Sequence, residues 1–358
     1  MEIVVHVGMH KTGSSYLQKM LYGNYDLLVS KGVLFPRAGF EDIFAKGGRE
    51  GSTAGHNDFI KYSLLSKNKR KECLYAFDSE VKRTNPELVF ISAENFSHHL
   101  TDCLAQEIKD LFGQYGRVKI VVTLREPVSW VESYYREIVT NGWGFESKDF
   151  PIFLRKFRSA LCYKSNIEKY VDVFGDANVD TIIYGKSLKD AGIENVFKSY
   201  IGLDGVELES IEQTTNASSS NEFFQAVRVF NRKVLPTQEA RNSINSISNE
   251  LRVGGSKGSI VSQVDLDFIV SEFRSSLDFL KLRSHYFGDV SELIIDGKAG
   301  KAVDVEESKV DEIFALLMHS NRGQSLKFSS IVVGTARKVI SYFPAFAQVF
   351  FKKLWMKK

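Results

Sequence analysis

Cysteine is scarce in this sequence: Cys73, Cys103 and Cys162 are the three thiols of a 358-residue chain. They lie far apart and form neither a C-x-x-C pair nor a metal-ligand spacing, which argues against a disulfide framework. Ordinary buried thiols in a reducing compartment are expected. Long apolar runs are missing too, and none reaches the ~18–20 residues of a membrane-spanning helix. Glu2 stands where a secretion signal needs basic residues, and the apolar run after it is too short for a signal core. A cytoplasmic location is expected. Acidic residues stop at Glu312. The eight Lys and Arg residues beyond it leave 39 basic against 44 acidic residues in 1–312, about −5, although the whole chain carries +3. A mildly acidic body speaks against general nucleic-acid binding, and no nucleic-acid partner is expected.

What is present describes a folded protein. Apolar residues make up 43% and charged residues 25%. The length suits one large domain or two ordinary ones. "EIVVHVG" at the N-terminus is a β-branched run ending in glycine, followed from Ser14 by apolar residues at helical spacing. Further buried strands are predicted at 87–94, 117–126 and 179–185, with helices at 101–113, 127–140 and 151–174. Alternation of this kind implies an α/β fold, P-loop-like and three-layered, around a central, mainly parallel sheet. Ligands in such folds bind at the carboxyl ends of the strands. Residues 8–15, 92–97 and 123–133 are therefore the ones to inspect. Residues 36–58 predict a long loop. After about residue 205 the pattern turns helical, with a polar stretch at 237–262 expected as an exposed excursion. The expected organisation is a core at 1–205, a helical C-terminal extension at 206–323 and a basic tail at 324–358.

The first strand runs into "HVGMHKTGSSYLQ". Gly8, Gly13 and Ser15 have the spacing of a Walker phosphate loop, but Ser14 stands in the place of its lysine, and a lysine appears three residues earlier, at Lys11. Helix N-termini and glycine loops gather N–H groups on an anion. Thr12, Gly13, Ser14 and Ser15 would supply backbone donors, with three hydroxyls among them. No Walker-B aspartate is evident. The third long strand ends instead on Arg125, and the second on Glu94. A cationic strand end points to phosphate contact by a side chain, with no metal.

"KTGSS" resembles the 5′-phosphosulfate-binding loop of the PAPS-dependent sulfotransferases, bacterial and carbohydrate-acting. The family's second hallmark, a strand ending in Arg with Ser eight residues later, is matched by Arg125 and Ser133 in "LREPVSWVES". The resemblance implies that these two hold the 3′-phosphate of the nucleotide. "KGVLFPRAG", "GHNDF", "ISAENF" and "QTTNASSSNEFF" are similar to further elements of the family, and the likeness extends over roughly residues 3–230. The R-K-G segment of its cytosolic branch is absent, and Asn216 and Ser218 are the residues that could replace it.

The implied reaction moves a sulfuryl group from PAPS to an acceptor hydroxyl, in line and without metal. Its leaving oxygen needs a cation, a task that suits Lys11. Its acceptor needs a base, for which Glu94 and His56 are both candidates. His98 and His99 are expected to be polar helix-start residues, and Trp130, Tyr134 and Tyr135 to be packing aromatics. The tail places Ile340, Phe343, Phe346, Phe350 and Leu354 at helical spacing among lysines. That pattern fits a helix in a membrane interface or one docked on the protein body. A carbohydrate or glycolipid acceptor and a bacterial enzyme at the inner face of the membrane are the expectations. A P-loop kinase or NTPase and a non-enzymatic membrane-surface scaffold are the alternatives.

Overall fold

The computed structural model describes residues 1–40, 55–59, 67–97, 104–141, 144–209, 219–251, 258–295 and 305–321. Among these residues six strands form one sheet: β1 (Glu2–Gly8), β2 (Val33–Leu34), β3 (Leu88–Ser92), β4 (Arg117–Arg125), β5 (Val179–Tyr184) and β6 (Tyr286–Phe287). Their order is β2-β3-β1-β4-β5-β6, and every neighbouring pair is parallel. The helices are α1 (Ser14–Gly23), α2 (Tyr25–Ser30), α3 (Lys67–Thr84), α4 (Leu104–Phe112), α5 (Pro127–Thr140), α6 (Phe150–Lys156), α7 (Tyr163–Phe174), α8 (Lys186–Ala191), α9 (Ile193–Tyr200), α10 (Asn221–Lys233), α11 (Gln238–Leu251), α12 (Gln263–Leu282) and α13 (Glu307–Ser320).

The chain forms two compact units. The first comprises Met1–Tyr134, Leu154–Thr215 and Gln263–Lys298. It holds the sheet, whose strands read as continuous apolar runs because both faces are covered. Val4, Phe90, Val121 and Ile182 pack on one face with Leu17, Met20 and Leu21 of α1, Leu28 of α2, Leu188 of α8 and Phe197 of α9. Side chains alternate along a strand, so Val7, Val122 and Leu124 face the opposite layer. There they line a small cavity with residues of α4, α5 and α7.

The second unit comprises Tyr135–Phe153, Asn216–Ser262 and Ala299–Lys358. Its α10 begins at Ser220, whose side chain accepts from Phe223 N–H at 3.2 Å, and buries Phe223, Phe224, Val227 and Phe230. Helices α11 and α13 pack beside it.

The four strands predicted from long apolar runs are all present. Two expectations need correction. The single helix expected over 151–174 is broken into α6, a 3-10 turn at Arg158–Leu161, and α7. Asn166 of α7 reaches back to the carbonyl oxygen of Ser159 at 3.2 Å and so closes the break. The stretch at 237–262 is not simply an exposed excursion. It contains α11, because Ala240 and Ile244 lie one turn apart and are buried within an otherwise polar sequence. His98, His99, Asn216, Ser218, most of the 36–58 loop and the basic tail lie outside the described residues.

Candidate active site

The loop between β1 and α1 turns through two left-handed residues, Lys11 at φ 66° and Gly13 at φ 81°. Glycine adopts that conformation freely, whereas for lysine it costs about 1–2 kcal/mol. Arg125, at the end of β4, meets the strained residue directly: its Nη1 donates to the carbonyl oxygen of Lys11 at 2.8 Å. Gly8 is required by close approach, since a Cβ there would stand 2.6 Å from Ser14 Oγ. Tyr184 and Ile193 pack beneath Gly13. Among the described residues no side chain caps the N-terminus of α1, and its first turn carries no acid. Its leading N–H groups are therefore available to an anion.

Two of the three hydroxyls make contacts within the loop. Thr12 Oγ1 donates to Met9 O at 2.6 Å and lies 3.3 Å from Ser14 Oγ, and both side chains are buried. Those two hydroxyls tie the loop together from inside, while Ser15 is half-buried. The backbone donors of the loop are unaffected.

Beneath the loop, His6 bridges three strands. Its Nδ1 lies 2.9 Å from Ser92 Oγ on β3, and its Nε2 lies 2.8 Å from Thr123 Oγ1 on β4. Gln18 Nε2 donates to the same Ser92 Oγ at 2.9 Å. An amide nitrogen only donates, so Ser92 Oγ accepts from Gln18 and still has its own O–H to share with His6 Nδ1. Burial pushes the imidazole down to about 3 and keeps it neutral.

Glu94 opens the 3-10 turn that follows β3. Its Oε2 lies 2.8 Å from Nδ1 of His10, the residue preceding Lys11. Both are buried, at 4% and 6% exposure. The His10 ring stacks on Tyr134 with centroids 4.8 Å apart, and Tyr134 stacks on Trp130 at 5.7 Å. The aromatics of α5 are thus packing residues, and one of them positions a histidine. His10, Trp130 and Tyr134 line the small cavity, whose volume is about 40 Å³.

His56 occupies a different environment. It is fully buried among Phe35, Phe40 and Phe59, with the Phe59 ring parallel to its own. Nε2 lies 2.8 Å from Pro36 O, and Nδ1 accepts from Ser92 N–H at 3.1 Å. Burial lowers its pKa to about 4, so the neutral Nε2–H tautomer fits both contacts. Both ring nitrogens are engaged by backbone, and the residue acts as a strut between loop and strand.

At the other strand end, Glu126 caps α5 through Val128 N–H at 2.9 Å and Ser129 N–H at 2.7 Å. Tyr163 OH donates to Arg125 O at 2.6 Å. Ser133 is half-buried in the second turn of α5. The fold therefore gathers Lys11, Thr12, Gly13, Ser14, Ser15 and Arg125 around one loop, and Glu94 joins them through His10. Sequence reasoning missed His6 and His10. A histidine inside an apolar strand and a titratable residue at a strand's carboxyl end were the available signals.

No protein-family model and no curated protein matches the sequence. Three solved sulfotransferase structures are similar to the chain. The sulfotransferase from Alicyclobacillus acidocaldarius is 16% identical over 60% of this chain and 86% of its own, with a TM-score of 0.35. The sulfotransferase domain of the Synechococcus PCC 7002 olefin synthase is 14% identical over 70% and 94%, at 0.36. The sulfotransferase domain of the curacin biosynthetic pathway is 12% identical over 76% and 96%, at 0.39. Likeness of this degree does not assign chemistry, which rests on the loop and strand-end residues.

Proposed function

We propose that this protein transfers a sulfuryl group from PAPS to an acceptor hydroxyl of a carbohydrate. One observation carries the reading: Arg125 holds the left-handed Lys11 at the mouth of an uncapped helix N-terminus. A phosphate loop with its lysine at position 11 presents the cation from the loop and not from the helix. That arrangement suits a sulfated 5′-phosphate better than a metal-bound triphosphate chain.

The residues present fit PAPS as cosubstrate. PAPS would supply a sulfuryl group activated by its bond to phosphate. The N–H groups of residues 12–15 bind the 5′-phosphate, and Lys11 neutralises charge gathering on the leaving oxygen. A guanidinium has five N–H donors. Arg125 can therefore keep its bond to Lys11 O and still take the 3′-phosphate, the role that the resemblance gives it together with Ser133. Of the two base candidates, His56 is committed to backbone on both nitrogens. Glu94 pairs with His10 next to the loop, which leaves the acceptor's proton to that pair.

A carbohydrate acceptor is supported by the likeness of "GHNDF" and "ISAENF" to elements of carbohydrate sulfotransferases. The basic segment 324–358 would hold the enzyme at the cytoplasmic face of an anionic membrane, within reach of a glycolipid. Incubation with sulfur-labelled PAPS and a panel of oligosaccharides and glycolipids tests the reading. Label transferred to a sugar hydroxyl supports it. Transfer confined to non-carbohydrate acceptors would overturn the acceptor class.

A further inference from the structure

We infer that His10 is the group that takes the acceptor's proton, and that Glu94 is the carboxylate that orients it. The inference rests on the sulfuryl-transfer reading above and adds a residue to it. His10 Nδ1 faces Glu94 Oε2 at 2.8 Å in a buried pair. A carboxylate on Nδ1 fixes the Nδ1–H tautomer and leaves Nε2 as the nitrogen that can accept a proton. The same division of labour between carboxylate and imidazole operates in hydrolytic triads, where the carboxylate stabilises the imidazolium and is not itself protonated.

Three features favour His10 over Glu94 as the base. An imidazole is by about 2 pH units the stronger base, and a general base works best near the operating pH. Stacking on Tyr134 fixes the plane of the His10 ring. His10 also lines the cavity beside the strand ends. The groups facing that cavity with it include Tyr134 from α5 and Tyr163, Lys169 and Tyr170 from α7. His10 and Lys11 are adjacent in one loop, so the base and the cation are set by the same backbone.

The acceptor O–H proton passes to His10 Nε2 while the acceptor oxygen forms its bond to sulfur. The bond from sulfur to the bridging phosphate oxygen breaks, and that oxygen departs with the electron pair beside Lys11. The imidazolium left on His10 is paired with the Glu94 carboxylate.

The test uses the full-length chain with ¹⁵N-labelled histidine, saturated with adenosine 3′,5′-bisphosphate. Long-range ¹H–¹⁵N spectra, assigned by the His10→Asn variant, are expected to show neutral His10 as the Nδ1–H tautomer and to show Nε2 taking up the proton on acidification. Asn keeps a donor near the position of Nδ1 but has nothing to accept a proton. His10→Asn and His10→Ala should therefore both slow sulfate release from labelled PAPS, with water as acceptor, by at least ~100-fold. Their affinity for the bisphosphate should stay within about twofold. An Nε2–H tautomer, or His10→Asn retaining the rate of the unsubstituted protein, would overturn the assignment while leaving the parent reading intact. Failure of the unsubstituted protein to bind the bisphosphate would overturn both.

Discussion

Arg125 and Lys11, 114 residues apart in sequence, are joined by one hydrogen bond of 2.8 Å from guanidinium Nη1 to carbonyl oxygen. The bond supports a left-handed lysine and fixes the guanidinium next to the loop that Lys11 belongs to. Arg125→Ala removes both functions. Arg125→Lys keeps the charge but loses the planar fork. Both variants should bind adenosine 3′,5′-bisphosphate ~10–100-fold more weakly, the scale of a charge-assisted hydrogen bond. Calorimetry decides this, and unchanged affinity in Arg125→Lys would contradict the forked role.

The packing of Gly8 against Ser14 predicts a coupled pair. A methyl at position 8 would meet Ser14 Oγ at 2.6 Å. Gly8→Ala should lower stability by ~1–3 kcal/mol, the range for overpacking. Adding Ser14→Ala should recover part of that loss, because the clashing atom is gone. Urea unfolding of the two single variants and the double variant measures the coupling, and strict additivity would argue against the contact.

Two buried histidines predict acid sensitivity. His6 and His56 are lowered by burial to about 3 and about 4, from an ordinary value of 6.5. Between those values and 6.5 the unfolded chain binds protons that the folded chain refuses, so stability rises with pH there. Their contribution is complete above about 6.5, declines as pH falls, and is gone below the folded values. The interval from about pH 6.5 to 5 is diagnostic, because ordinary carboxylates titrate lower. His6→Asn and His56→Asn should each flatten the slope of unfolding free energy in that interval, whatever their stability at pH 7.5. An unchanged slope in both would show that neither ring is held neutral.

How much of this could be read from sequence depended on whether a signal was local. The glycine loop and the long strands were legible, since β-branched runs ending at Gly8, Ser92 and Arg125 carry their own pattern. Strands β2 and β6 were not, because two residues have no periodicity. Helix α11 was hidden by composition, its apolar stripe being too narrow to stand out. Within the site, Lys11 stood out from the Walker-like spacing and Arg125 from its strand end and the family resemblance. His56 stood as a candidate base, and only the closing of Phe35, Phe40 and Phe59 around it shows its structural role. The partnership of His10 with Glu94 spans 84 positions, and no local pattern announces it.

The basic tail gives a separate prediction. Deleting residues 324–358 removes seven basic residues and no acidic ones, together with Trp355. Sedimentation with vesicles containing anionic lipid should then fall, and more steeply at low salt, where attraction to the surface is strongest. Identical sedimentation of full-length and truncated protein would exclude a membrane role for the segment.

The central claim is that the loop holds an adenosine bisphosphate without the chemistry of a triphosphate site. Calorimetric titration with adenosine 3′,5′-bisphosphate and, separately, with ATP and Mg²⁺ tests it most directly. Tight binding of the bisphosphate is expected, weakened in Lys11→Ala and by ~10–100-fold in Arg125→Ala, with weak or no binding of ATP with Mg²⁺. Tight binding of ATP with Mg²⁺, with no binding of the bisphosphate, would contradict it.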